Sequence, residues 1–189
     1  MFKPPLEICG VPYLIHLKFE SPAIEAAVLK QNARALRSGF FSEEKLWQGQ
    51  YYRAEILNGF CPGLYVEKVN SSIGWGVFAG QAIEKHSFVI EYTGLMRKRN
   101  RRLIAGNNYL LRYPNAEPGA EKFTVDAEKE GNYSRFINHS FEPNIEIASV
   151  FLDGMVHILF LTLKKIEKGA QLCCNYGEDY WKGIAPLSL

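Results

Sequence analysis

Seven short runs of apolar and β-branched residues follow one another after residue 63. They cover residues 64–69, 88–92, 109–113, 123–126, 145–152, 155–163 and 170–175. Short runs of this kind, bounded by turn-forming residues, are typical of β-strands. The pair Asp153-Gly154 between two long runs favours a tight β-hairpin. This part of the chain is therefore predicted to be a body of several small β-sheets.

The first 60 residues show a different pattern. Apolar residues recur at helical spacing over residues 22–36. Ser21 is a suitable N-cap, Pro22 fits the first helical position and Gly39 is a suitable terminator. We predict an N-terminal helical segment over residues 1–60, which either recognises a substrate or forms a structural cover of the body.

Length and composition bound the class of protein. At 189 residues the chain fits a single domain with a small appendage. Its cysteines, Cys9, Cys61, Cys173 and Cys174, have neither the CxxC spacing nor the nearby histidines of a structural zinc site. Free thiols indicate a reducing compartment such as cytoplasm or nucleus. Because the chain shows neither a signal sequence nor a membrane-spanning apolar stretch, a soluble protein without metal or membrane contact is expected.

Local charge is more informative than the net charge of +2. Arg97 and Arg102 bound the run RKRNRR, which holds five cations in six positions. We predict a short basic helix over residues 97–106. Such a run is more often a solvated helix face than a nucleic-acid contact. If it binds a partner, that partner is expected to be DNA phosphates in chromatin or an acidic stretch of a target protein.

Three polar motifs lie between apolar runs late in the chain. They are RFINHS at residues 135–140, EPN at residues 142–144 and NYG at residues 175–177. Polar side chains in such surroundings are costly to bury unless each finds a partner. Although His139 or Tyr176 alone would be interpreted as a structural residue, the grouping of motifs indicates a binding site.

Five further motifs precede these three along the chain. They are GWGVFA at residues 74–79, FVIEYTG at 88–94, YLL at 109–111, VDA at 125–127 and GN at 131–132. Together with the three polar motifs, their order resembles that of the SET-domain family of S-adenosylmethionine-dependent protein lysine methyltransferases. The resemblance covers about residues 64–181. It implies a mainly β fold with some α, a β-clip of small sheets with a C-terminal pseudoknot. In that pseudoknot the segment around Asn138 and His139 is threaded by the segment ending at Tyr176, an exception to the usual avoidance of threading.

The resemblance also implies roles for individual residues. Residues expected to bind the cofactor S-adenosylmethionine, which leaves as S-adenosylhomocysteine, are Gly74, Trp75, Gly76, Arg135, Phe136, Asn138, His139 and Trp181. Tyr180 is the alternative to Trp181 in this role. The alternative role for Trp181 itself is to cap the edge of the core. Tyr176 is the expected catalytic residue. The channel for the substrate lysine is expected to be lined by Tyr92, Tyr109 and Leu111.

Methyl transfer requires a neutral lysine amine, yet a free lysine near pKa 10.4 is almost wholly protonated at pH 7. Desolvation in an aromatic channel and repulsion by the sulfonium both lower that pKa. Tyr176 is expected to orient the amine and not to act as a strong base, because a phenol is mostly neutral at pH 7. Leu111 stands where relatives often have a larger aromatic residue, which predicts room for multiple methylation.

The predicted organisation is an N-terminal segment over residues 1–60, a SET domain over 61–181 with an insert at about 97–122, and a tail over 182–189. The expected function is methylation of the lysine ε-amine in a protein substrate, with histones or histone-like proteins as candidates. The chain departs from the family at Leu95, Gln171 and Asn175, and the departures at Leu95 and Asn175 keep a non-catalytic peptide-binding module as the alternative. A cysteine hydrolase that pairs Cys173 or Cys174 with His139 is a third interpretation. The short length also resembles compact bacterial or viral members, which adds a secreted bacterial effector to the expected locations.

Overall fold

The computed structural model describes residues 7–100, 106–115 and 120–177. Short strands dominate the described ranges. In chain order the elements are β1 (Glu7–Ile8), β2 (Val11–Pro12), β3 (Lys18–Phe19), α1 (Pro22–Arg37), α2 (Glu43–Tyr51), α3 (Arg53–Leu57), β4 (Leu64–Asn70), β5 (Gly74–Ala79), β6 (Phe88–Glu91), β7 (Leu95–Lys98), β8 (Leu110–Arg112), β9 (Phe123–Asp126), a 3₁₀ turn (Tyr133–Phe136), β10 (Asn138–His139), β11 (Ile145–Leu152), β12 (Met155–Thr162) and β13 (Cys173–Cys174).

The strands form several small sheets, as predicted. The longest pairing is the antiparallel hairpin of β11 and β12, to which β6 adds a third strand. Asp153 and Gly154 form its turn with φ of 47° and 86°, the left-handed conformation that a two-residue hairpin requires. A four-stranded sheet has the order β3-β7-β9-β8, and two-stranded sheets are formed by β1 with β2, β4 with β5 and β10 with β13. The prediction of a mainly β fold with some α is confirmed.

Helix α1 confirms the helix predicted over residues 22–36. The Ser21 hydroxyl accepts the N–H of Ile24 at 3.3 Å, and Gly39 follows the helix with a φ of 73°. The sequence pattern did not single out α2 and α3, which follow it. Helix α2 packs on β11 at Gly49, where a Cβ would collide with the carbonyl oxygen of Phe151. This close approach of two backbones is possible because residue 49 is glycine.

A buried amide network joins α1 to the body. Asn32 is fully buried, and its amide group donates to the carbonyl of Gly154 at 2.8 Å and to the hydroxyl of Tyr113 at 3.1 Å. Its oxygen accepts from the amide of Asn115, also fully buried, at 2.7 Å. The Tyr113 hydroxyl also accepts the N–H of Val156 at 2.8 Å. One asparagine of the N-terminal segment thus holds both the loop after β8 and the β11–β12 hairpin.

The hydrophobic core extends across the predicted boundary at residue 60. Val28 and Ala35 of α1 are buried in the same cluster as Val77, Met96 and residues of β9 and β12. A second cluster packs Tyr52 and Ile56 against the outer side of the β6–β12 pair. The N-terminal segment and the body therefore bury apolar surface against each other.

The basic helix predicted over residues 97–106 is wrong where the structure describes it. Arg97 and Lys98 lie in strand β7, antiparallel to β9. Arg97 lies opposite Thr124 and Lys98 opposite Phe123, so both residues belong to a sheet and not to a solvated helix. Arg97 binds Asp126 at 3.0 Å and Glu20 at 2.8 Å, and Lys98 binds Glu121. These carboxylates are remote in sequence, so local charge patterning did not reveal them, and residues 101–105 lie outside the described ranges.

Two further properties of the described ranges concern membranes and metals. Among the helices of these ranges, none is long and apolar enough to cross a lipid bilayer. In the same ranges, His, Cys, Asp and Glu side chains do not gather in groups of three or more that could hold a metal ion. The four cysteines are free thiols.

Candidate active site

A short parallel pairing brings the distant polar motifs together. Strand β10 pairs with β13 in the register Asn138 with Cys173 and His139 with Cys174. The side chain of Asn144 fixes the incoming segment, since its amide donates to the Gln171 carbonyl at 2.7 Å and its oxygen accepts the Cys173 N–H at 2.9 Å. This arrangement is the one that the predicted pseudoknot requires.

Tyr176 follows β13 and is fixed at both its backbone and its side chain. Its N–H donates to Nδ1 of His139 at 3.1 Å, and its hydroxyl donates to the carbonyl of Ile137 at 2.6 Å. The rings of His139 and Tyr176 lie with their centroids 5.4 Å apart. Three predicted site residues, Asn138, His139 and Tyr176, therefore lie on adjacent segments.

His139 is buried and neutral near pH 7. Burial lowers the pKa of its imidazole below the ordinary value of 6.5, because a charged ring would lose its hydration. Because Nδ1 accepts the Tyr176 N–H, that nitrogen carries no proton in this arrangement. The His139 ring is nearly perpendicular to the ring of Phe141, and their centroids lie 4.6 Å apart. Phe141 itself is 61% exposed.

A cavity of about 70 Å³ lies beside Tyr176. Since about 10–15 Å³ of such space holds one water, there is room for the end of a long side chain. Its walls are largely aromatic and aliphatic, and none of the described residues that line it is a carboxylate. The lining residues are Tyr92, Asn108, Leu110, Leu111, Ser134, Arg135, Ile137, Ile147, Phe160, Cys174 and Tyr176.

Of the three residues predicted for a lysine channel, Tyr92 and Leu111 line this cavity. Tyr92 is buried and its hydroxyl donates to the carbonyl of Tyr109 at 2.7 Å. Burial raises the pKa of the Tyr92 phenol, which therefore stays neutral. Tyr109 is not among the lining residues, and its ring packs against the guanidinium of Arg135, 4.1 Å from the ring centroid.

A chain of hydrogen bonds holds the Tyr109 segment in place. Its N–H donates to the Asn107 oxygen at 2.9 Å, and the Asn107 amide donates to the buried carboxylate of Asp126 at 3.0 Å. Asp126 is in turn bound by Arg97, which also binds Glu20 of the N-terminal segment. These bonds connect Tyr109, whose carbonyl accepts the Tyr92 hydroxyl, to Glu20, the residue that follows β3.

Arg135 is the one cation in the lining of the cavity as the structure describes it. Its guanidinium donates to the carbonyls of Ala127 at 2.7 Å and Glu128 at 3.0 Å. It also lies 4.7 Å from the ring centroid of Phe136, a core residue that is 5% exposed. Both residues were predicted to bind the cofactor, and the structure places Arg135 beside Tyr92 and Tyr176.

The predicted cofactor motif at residues 74–76 lies in strand β5, next to Asn138. The Asn138 amide donates to the carbonyl of Trp75 at 3.0 Å, and the Trp75 side chain is 44% exposed. At Gly76 a Cβ would lie 2.6 Å from the Gln171 amide nitrogen and 3.2 Å from that of Asn138. That Gln171 nitrogen is buried and has no hydrogen-bond partner among the described residues. The motif therefore combines a closely packed glycine with an exposed tryptophan, and the amides of Asn138 and Gln171 lie beside it.

The structure bears on the predicted cysteine hydrolase but not on the predicted role of Trp181. Burial raises the pKa of Cys173 to about 11 and that of Cys174 to about 12, so both thiols are protonated near neutral pH, which argues against a cysteine nucleophile. Trp181 and Tyr180 lie outside the described residues.

The sequence did not point to several residues that line the cavity. Ile147 of β11 and Phe160 of β12 face each other in the hairpin register and form one wall, and Cys174 contributes another part. The alternation of side chains along the two strands predicts which residues share a face of the sheet. It does not predict which face meets the cavity, because that depends on how the body packs.

Comparison with known proteins agrees with this geometry. A sequence model of the SET domain matches residues 74–177, more than half of the chain, and the chain belongs to the SET-domain family. It is 33% identical to histone-lysine N-methyltransferase SUV39H2 of Gallus gallus over 132 residues, which are 64% of this chain and 32% of that protein. It is 38% identical to histone-lysine N-methyltransferase EHMT1 of Homo sapiens over 131 residues, 67% of this chain and 10% of that protein. The chain thus spans a third or less of the length of these relatives.

Proposed function

We propose that the chain is a protein-lysine methyltransferase that uses S-adenosylmethionine and acts on a histone or a histone-like protein. The observation that carries the proposal is that Tyr176 lines a largely aromatic and aliphatic cavity whose described lining residues include no carboxylate. The names of the relatives, which are histone-lysine methyltransferases, support the same class of substrate.

The cavity suits a neutral amine better than an ammonium ion. Its walls remove the lysine end from water, which disfavours the charged form and lowers the pKa of the amine. The aliphatic stem packs on Tyr92 and Leu111, and the proton leaves to bulk water as the amine enters. The free amine keeps a lone pair for attack.

Tyr176 positions this amine. Its hydroxyl donates to the carbonyl of Ile137, which fixes the direction of the O–H bond, and the phenol oxygen would accept an N–H of the amine. That hydrogen bond fixes the direction of the nitrogen lone pair, and positioning of this kind accounts for a large share of catalysis in transfer reactions. The neighbouring ring of His139 and the bond from the Tyr176 N–H keep the phenol in place.

The residues near Asn138 fit the cofactor. The exposed faces of Trp75 and Phe141 suit an adenine ring, and the amides of Asn138 and Gln171 lie where a Cβ at residue 76 would intrude. We propose that Gly74, Trp75, Gly76, Asn138 and His139 hold S-adenosylmethionine, with Trp181 closing the site and Phe136 supporting it from the core. When bound, this cofactor supplies an electrophilic methyl group on a sulfonium.

The test is transfer of a tritiated methyl group from S-adenosylmethionine to core histones and other basic proteins. We expect incorporation into lysine, and a loss of about 100-fold or more in kcat for Tyr176→Phe with little change in cofactor affinity. Tyr51→Phe, which alters an exposed tyrosine of α2, is the matched control and should behave like the wild type. Binding of cofactor and peptide without any transfer would instead support the non-catalytic peptide-binding module.

The degree of methylation is a separate part of the proposal. Leu111 lines the cavity and leaves more room beside the amine than an aromatic residue would. We expect intact-mass measurement of a modified peptide to reveal products with more than one added methyl group. A Leu111→Phe variant should shift the products toward single addition, and a wild type that adds a single methyl would contradict this part.

A further inference from the structure

We propose that Arg135 acts electrostatically on the substrate lysine, as a fixed positive charge in the cavity wall that disfavours the ammonium form and favours the neutral amine. The inference rests on the proposed function, because it takes the cavity beside Tyr176 as the lysine site. It gives Arg135 a role at the substrate in place of the cofactor contact expected from the sequence.

The position of the guanidinium is fixed by its surroundings. Two backbone carbonyls, those of Ala127 and Glu128, accept its N–H groups, and the rings of Tyr109 and Phe136 pack against it. These partners hold the guanidinium without neutralising its charge, since a carbonyl and an aromatic ring carry only partial charges. An arginine is charged at every physiological pH, so the cavity wall carries this charge at all times.

Arg135 is the one charged residue in the described lining of the cavity. Tyr92, Tyr176 and Cys174 line the same cavity, and Tyr109 packs on the guanidinium. Burial raises the pKa of the Cys9 thiol, and the charge of Arg135 acts in the opposite direction. The carboxylate of Asp126 is bound by Arg97 and by Asn107, and Glu128 is exposed to solvent. Arg97 also binds Glu20, so that one arginine is shared by two carboxylates, neither of which lines the cavity.

The buried phenol of Tyr92 already responds to this charge. Burial raises its pKa, and Arg135 acts in the opposite direction and outweighs the raising effect of Asp126. The same charge would disfavour an ammonium ion beside Tyr92, because a positive neighbour destabilises a cation. Since Arg135 is half-buried and partly screened by water, we expect it to lower the pKa of the bound lysine by about one unit.

The first test is a binding measurement without cofactor. Peptides from the lysine-rich tails of the core histones are prepared with lysine or with norleucine, which has a similar aliphatic stem and no charge, at one position. At pH 7 we expect the wild type to prefer norleucine, and Arg135→Met to reduce the preference about tenfold. Arg135→Lys, which keeps the charge and loses the planar stacking, should retain most of it. Arg53→Met, which removes an arginine at an exposed ion pair, should leave it unchanged.

The second test is the pH dependence of kcat for methyl transfer, which reports groups in the bound complex. The midpoint should rise by about one pH unit in Arg135→Met and stay in place in Arg53→Met. Thermal unfolding identifies a variant that fails to fold, and Arg135→Gln, which retains an amide donor for the Ala127 carbonyl, then replaces Arg135→Met.

Each outcome has a distinct meaning. A wild type that binds lysine peptides at least as well as norleucine peptides at pH 7 overturns the role of Arg135. Equal behaviour of Arg135→Lys and Arg135→Met overturns it too, because the effect would then be structural, and failure to bind either peptide contradicts the lysine site itself. A charge-dependent preference for norleucine without methyl transfer supports this inference and contradicts catalysis, so the two proposals fail separately.

Discussion

The N-terminal segment, residues 7–60, and the body, residues 64–177, use their buried polar groups in different ways. In the first, Asn32 has its amide donors and its oxygen all engaged by the body. In the second, the amide nitrogen of Gln171 has no partner among the described residues, and Arg135 and Tyr176 face a cavity. A buried polar group whose partners all lie within the protein stabilises the fold, whereas a buried donor without such a partner, like the Gln171 amide, can bind a ligand. Substitutions in the first region should therefore change the free energy of unfolding, and those in the second should change ligand affinity.

The largest expected effect in the N-terminal segment is at Gly49. Gly49→Ala places a methyl group against the Phe151 carbonyl, and because both sides are backbone, helix α2 must move away from β11. We expect a loss of about 3 kcal/mol in the free energy of unfolding, measured by urea denaturation. Gly63→Ala is the matched control, since its Cβ meets nothing nearer than Gln81 at 3.9 Å. If both variants were equally stable, the close packing of α2 would be contradicted.

A somewhat smaller loss is expected at Asn32. Asn32→Leu has a similar size but leaves the Asn115 amide and the Gly154 carbonyl without partners in a buried place. We expect about 2 kcal/mol of destabilisation. The affinity for S-adenosylhomocysteine, measured by calorimetry on the folded variant, should stay within twofold of the wild type. Asn58→Leu, at an exposed position, is the control, and a large loss of affinity in Asn32→Leu would remove the distinction between the two regions.

The body should show the opposite response at Gly76. In Gly76→Ala the new methyl group collides with the Gln171 amide at 2.6 Å and with the Val69 side chain at 2.8 Å, and it lies 3.2 Å from the Asn138 amide. We expect the affinity for S-adenosylhomocysteine to fall about tenfold or more, or about 1.4 kcal/mol. Gly63→Ala again serves as control. A Gly76→Ala protein with unchanged affinity would show that these amides take no part in cofactor binding.

The smallest expected effect is a pH dependence from His139. Burial lowers the pKa of His139 in the folded protein, so the unfolded chain takes up a proton at higher pH than the folded chain does. Its contribution to stability is therefore complete above pH 6.5 and is lost as the pH falls toward the folded pKa. Urea midpoints between pH 8 and pH 5 should fall less steeply in His139→Asn than in the wild type. His86→Asn, at an exposed residue with a φ of 60° that asparagine tolerates, should keep the wild-type slope.

The sequence was sufficient where structure depends on neighbours along the chain. The cap at Ser21, the Asp153-Gly154 turn and the apolar runs of the hairpin act over a few residues, and each was predicted correctly. The run after Leu95 was mistaken for a helix because its partners, Glu20 and Asp126, are 77 and 29 residues away from Arg97. Charge patterning within a short window cannot detect such pairs.

The site was predicted through a family resemblance, not through spacing. Nothing local connects Asn138 with Tyr176, and the pairing that joins their segments is only two residues long. The roles of Gly76, Asn138 and Tyr176 stay predictions. Tyr109 was predicted to line the channel, but Arg135 lines the cavity and Tyr109 packs against the guanidinium. This difference depends on side-chain packing, which one sequence does not reveal.

The parallel contact of β10 with β13 also determines when this protein acquires its pocket. The two strands are separated by about 35 positions in the chain, so during synthesis Asn138 and His139 leave the ribosome well before Cys173 and Cys174. Closing so long a loop is slow relative to forming the β11–β12 hairpin that lies within it. Maturation of the pocket is therefore a late event, and a small molecule held there stabilises only the completed fold, as a pharmacological chaperone does.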